Sequence, residues 1–143
     1  MSAMNMLKLG LVLLFVMAIT ACAERPIPEL KVTSESNIQI PISLVSYMWN
    51  HEVTYGDPRS AMKNAKAFVV QKGERLKIDF STQPNEETVG SHLWMESHTK
   101  GIKQVLIDNS YVKVPNETGE YIYSIYATWD EGTVSYAIKV KVE

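Results

Sequence analysis

The chain reads as an all-β protein, an immunoglobulin-like β-sandwich of about seven strands, on the strength of three observations. From Lys31 onward apolar residues recur with period two, the spacing that places side chains on one face of a strand. Clusters of Gly, Pro, Asn and Asp break this pattern at the short intervals that separate sandwich strands. Helical spacing is confined to residues 58–66, room for a turn or two. A small open β-barrel satisfies the same pattern and is the competing architecture.

Residues 37–46 form the first expected strand, interrupted by Pro41, which suits an edge or a bulge. Residues 67–71, with Phe68, Val69 and Val70, are short and apolar, and Lys72-Gly73-Glu74 turns the chain. Leu76, Ile78 and Phe80 then alternate with Arg75, Lys77 and Asp79, the signature of a half-buried strand. After a polar loop at 84–88, residues 92–96 and 105–108 are short strands separated by Lys100-Gly101. Residues 111–114 make another and stop at Pro115.

The last two strands are the clearest. Tyr121, Tyr123, Ile125, Ala127 and Trp129 share one face, and Asp130-Glu131-Gly132 reverses the chain. Tyr136, Ile138, Val140 and Val142 share a face of the return strand, with Lys139 and Lys141 pointing the other way. The two runs form a hairpin. Gly119-x-Tyr121-x-Tyr123 is similar to the entry of the penultimate immunoglobulin strand. Tyr121 then takes the tyrosine-corner place, its hydroxyl bonding backbone, and Tyr123 stands where a cysteine is usual.

The N-terminus carries a different message. Lys8 precedes an uncharged run over residues 9–19, too short to span about 30 Å of hydrocarbon and matched to the apolar region of a signal peptide. It ends Ile19-Thr20-Ala21-Cys22, which resembles the lipobox of bacterial lipoproteins. That resemblance implies diacylglyceryl transfer to the Cys22 sulfur and cleavage after Ala21. Two or three acyl chains anchor durably, at about 0.8 kcal/mol per buried methylene. The organisation expected is a lipoprotein signal peptide at 1–21, a lipidated tether at 22–33 stiffened by Pro26 and Pro28, and a sandwich domain at 34–143. Such a tether reaches about 30 Å at most, and the domain faces outside the cytoplasm on the cell membrane.

Composition narrows the function. The chain of 143 residues fits one domain, and 45% hydrophobic with 21% charged residues is globular. A net charge of −2 argues against nucleic acid, whose phosphates require clustered Lys and Arg. Cys22 is the one cysteine, so an internal disulfide is excluded. No Gly-x-Ser-x-Gly elbow, phosphate loop, dinucleotide fingerprint or zinc spacing occurs, so neither enzyme activity nor a cofactor is expected.

Several motifs occur together in order: Ser46-Tyr47-x-Trp49, Gly56-Asp57-Pro58, Lys72-Gly73-x-x-Leu76-x-Ile78-x-Phe80, and Pro115-x-x-x-Gly119-x-Tyr121-x-Tyr123 continuing through Trp129, Gly132, Tyr136 and Ile138. This set resembles a group of small, uncharacterised lipoproteins of Gram-positive, endospore-forming bacteria, over residues 46–142. Some members of that group carry a cysteine beside the Tyr-x-Trp motif, where this chain has Met48. The likeness implies location and fold, and brings no activity with it.

Four aromatics, Tyr47, Trp49, Tyr55 and Trp94, are the candidate ligand-binding residues, because aromatics in loops at a sandwich end stack on sugars or anchor partners. A buried tryptophan plugging the core accounts equally for Trp49 or Trp94. The segment 47–58 carries most of the set and is polar, aromatic and rich in turn residues. Met48, His51, His92, Met95 and His98 offer thioether and imidazole donors that copper accepts, although an extended 92–98 places Met95 opposite His92 and His98. The expectation is a membrane-anchored binding or accessory module for a protein or envelope polymer. A peptidase-inhibitor-like module is the alternative by fold analogy, and copper handling a minor one.

Overall fold

The computed structural model describes residues 24–95 and 97–143. The lipobox, with Cys22, lies outside the described residues, as does Glu96. Among the described residues ten strands and one short helix follow in chain order: β1 (Leu30–Thr33), β2 (Ser43–Trp49), β3 (Glu52–Thr54), α1 (Pro58–Met62), β4 (Phe68–Val70), β5 (Arg75–Phe80), β6 (Gly90–Trp94), β7 (Ile102–Gln104), β8 (Tyr111–Lys113), β9 (Gly119–Trp129) and β10 (Gly132–Val142).

They form two sheets packed face to face. The smaller has the order β1-β5-β8, and the larger β3-β2-β10-β9-β6-β7, with β4 also paired to β10. Pairing is antiparallel throughout, except that β4 runs parallel to β10. The protein is an all-β sandwich and not a closed barrel. In it β1, β5 and β8 make one sheet, and β6, β9 and β10 the core of the other. The expected tyrosine corner is present, since Tyr121 donates its hydroxyl to the Glu117 carbonyl at 3.0 Å.

Alternation builds the core. Tyr121, Tyr123, Ile125, Ala127 and Trp129 from β9 meet Val134, Tyr136, Ile138, Val140 and Val142 from β10, all buried. Leu30, Val32, Leu76, Ile78, Val112 and Val114 close it from the smaller sheet's side. The long β10 serves two neighbours, with Gly132–Ala137 paired to β2 and Val140–Val142 to β4. The register slips between Ser135 and Tyr136, a bulge that lets the two partners meet one strand. Gly132 begins β10 at φ 151°, and a side chain there would collide with the Met48 carbonyl.

The tether expected at 22–33 gives way to folded structure. Leu30 and Val32 are core residues, and Leu30–Thr33 pairs with β5. The chain is fastened upstream as well. Tyr136 donates its hydroxyl to the Pro28 carbonyl at 2.6 Å, and the Trp49 indole donates to the Arg25 carbonyl at 2.9 Å. Arg25 also pairs with Glu131 at 3.4 Å. Four alternating residues after two prolines are too few to stand out as a strand without their partner.

Other boundaries moved for similar reasons. The strand expected at 37–46 starts at Ser43, because Asn37 adopts φ 61° in a turn and Gln39 makes only an isolated bridge to Thr33. The strand expected at 105–108 lies at Ile102–Gln104 instead, and Val105 is 91% exposed.

Candidate functional site

The outward face of the larger sheet is not uniformly solvated. The residues of β9 and β10 between the core positions point outward: Ile122, Ser124, Tyr126 and Thr128, then Thr133, Ser135, Ala137 and Lys139. Two devices cover part of this face. One is α1, which seats Met62 on Val45 and Ala137 in a small second core. Asp57 starts that helix, accepting from the Arg59 amide at 2.7 Å and the Ser60 amide at 3.4 Å, and Pro58 occupies its first turn.

The second device is a row of aromatic side chains on β6 and β9. The Trp94 indole donates to the Ser124 hydroxyl at 2.9 Å. His92 stacks on Tyr126 with ring centroids 5.2 Å apart and planes 26° from parallel. Two glycines make room for these rings. A methyl group at Gly90 would run into the Tyr126 ring, and one at Gly101 into the Trp94 ring. Tyr126 therefore lies across one strand backbone, and Trp94 across the chain entering β7.

Between this row and the chain from Tyr55 to Pro58 runs a groove of about 610 Å³. Its floor is Ser46, Ser124, Thr133 and Ser135. Among the described residues Asp57 is the one carboxylate lining it, and Arg59 spans that group at 2.9 Å. The Arg59 side chain bond holds the Asp57 carboxyl below the usual carboxylate range. Asp57 in turn raises the Arg59 guanidinium. Arg59 also sits over the Trp94 ring, 5.4 Å from its centroid. A second groove of about 830 Å³ continues past Trp94 and Asp57 toward Lys63, Glu120 and Lys139.

The four aromatics expected to bind ligand separate into two pairs. Trp94 and Tyr55 line the groove, Tyr55 with 90% of its surface exposed. Trp49 does not join them. It is 5% exposed and packs edge-on against Trp129 at 5.8 Å, as a core tryptophan. Tyr47, two residues earlier on the same strand, packs half-buried against the same core. Strand alternation explains this, because residues 47 and 49 share the inward face of β2. The segment 47–58 is a hairpin rather than a long loop, with Asn50 and His51 at φ 47° and 70° forming its tight turn.

The donors considered for copper are spread out. Met48 is 55% exposed on the outward face of β2, His51 is in the hairpin turn, His92 stacks on Tyr126, and His98 shares a 3.0 Å bond with Ser97. Among the described residues no three His, Cys, Asp or Glu side chains are grouped to hold a metal ion. Sequence reasoning missed Tyr126, Ser124 and Ser135. Their signal was present in the outward alternates from Ser124 to Thr128 and from Thr133 to Ser135, which carry hydroxyl and aromatic residues where a solvated face would carry charge.

No known family, no curated protein and no solved structure matches this chain.

Proposed function

We propose that the protein is a membrane-anchored, extracytoplasmic binding module, held through acyl chains on Cys22 and capturing a protein or envelope polymer in the outward groove of its larger sheet. The groove carries this reading. A sheet face without a partner tends toward charged, solvated side chains, whereas here aromatic rings and hydroxyls frame a concave surface over several strands. The anchor rests on the Ile19-Thr20-Ala21-Cys22 motif.

The fastening of Arg25 adds a geometric consequence. Only Ala23 and Glu24 separate Cys22 from Arg25, a span of about 10 Å. The lipid would therefore lie against the end of the sandwich that carries Trp49, Trp129 and Glu131, with the groove on a flank. The test has two parts. Mass spectrometry of the mature protein should find Cys22 as an acylated N-terminus, and a free thiol or intact leader overturns the anchor. A photo-crosslinker at residue 55 should capture an envelope component in living cells, and Trp94→Ala should abolish that capture. Capture unchanged by Trp94→Ala overturns the groove.

A further inference from the structure

We infer that the groove binds an uncharged polysaccharide, with sugar rings seated along Tyr126 and His92 beside Trp94 and their hydroxyls meeting the serine and threonine floor; this rests on the binding-module reading above. The charge of the site selects the class. Among the described residues its one lining carboxylate is Asp57, already spanned by Arg59, so a charged ligand seated there would be desolvated without a free counter-charge. Charged peptides and lipid headgroups are disfavoured by the same argument.

The floor selects further. Ser46 and Ser135 present hydroxyls, each able to donate and to accept, while those of Ser124 and Thr133 are already bonded to Trp94 and Thr128. A sugar offers the matching groups at its rim, every hydroxyl again both donor and acceptor. Its C–H faces are slightly positive and apolar, and they suit the negative face of an aromatic ring. Tyr126 and Trp94 are held in place by Gly90 and Gly101 beneath them, and Trp94 also by its bond to Ser124. A platform fixed before binding loses little side-chain freedom when a ligand arrives.

An added strand from a protein partner would instead pair with a sheet edge, and the groove lies over the central strands β10, β9 and β6. The experiment titrates the full chain, in detergent micelles, with the β-1,4-linked tetramers of glucose and of N-acetylglucosamine. The indole N–H signals are followed by NMR. At least one tetramer should shift the Trp94 signal saturably while Trp49 and Trp129 hold still, their rings being buried. Tyr126→Ala and Gly101→Val should each weaken binding at least about tenfold, with the Trp49 and Trp129 signals certifying the fold. No shift of Trp94 at about 10 mM of either tetramer overturns the sugar assignment. If the crosslinker at residue 55 then captures a protein in a Trp94-dependent way, the binding module stands and only its ligand class has failed.

Discussion

Replacing Tyr123 by phenylalanine should stabilise this protein, the reverse of what removing a hydrogen-bonding group from a core ordinarily does. Tyr123 is fully buried on the inward face of β9, and its hydroxyl has no hydrogen-bond partner among the described residues. An unmade bond at a buried polar group costs about 1–3 kcal/mol, and the phenylalanine ring keeps the packing while deleting that group. For a domain of this size 1 kcal/mol corresponds to about 4 °C in Tm, so the melting temperature should rise by about 4–12 °C. The effect of pH gives an independent check. Burial, with a smaller contribution from Tyr121, raises the Tyr123 phenol well above its ordinary 10.0. Below about pH 10 both folded and unfolded chains keep the proton, and stability is insensitive to it. Above that, the unfolded chain releases the proton and the folded chain does not, so this tyrosine lowers stability by about 1.4 kcal/mol per pH unit. Thermal melts followed by circular dichroism at about pH 7 and about pH 11 should show Tyr123→Phe gaining at the first and gaining more at the second. A loss of Tm at neutral pH would refute the reasoning, because it would mean that the hydroxyl is satisfied inside the core.

Tyr136→Phe should behave oppositely, since that hydroxyl donates to the Pro28 carbonyl at 2.6 Å. A loss of about 1–3 kcal/mol in urea unfolding, with faster tryptic cleavage after Lys31 in the strand that follows Pro28, is the expected pair of readouts. Trp49→Ala should cost about 3–5 kcal/mol, given a side chain that is 5% exposed and packed on Trp129; a ligand-binding residue at the surface would show almost no such loss in the same assay. Asp57→Ala should cost about 1 kcal/mol through the lost helix cap. Because the Asp57 carboxyl is held below its usual range, chiefly by its bond from Arg59, its contribution is complete above about pH 4 and fades as pH falls through the lower folded value. Acid titration of the variant and the parent should therefore converge at low pH.

The fold was legible where one element carried its own evidence. Every second residue from Tyr121 to Trp129 in β9 and from Val134 to Val142 in β10 is apolar or aromatic and buried. The tyrosine corner needed only Gly119-x-Tyr121. Where pairing supplies the evidence, sequence was silent. Leu30–Thr33 is four residues whose strand character comes from β5, and Glu52–Thr54 is wholly exposed, with only its pairing to β2 to define it. The site divides along the same line. Trp94 and Tyr55 announce themselves as aromatics near turns, but Tyr126 looks like one more tyrosine of a hairpin until Gly90, thirty-six positions earlier, is seen beneath it. Gly101 reads as a strand separator in one dimension, and Gly90 carries no signal of its own there. In three dimensions they are the spaces that lay two aromatic rings across the sheet, and the face that could have been a solvated wall becomes a groove.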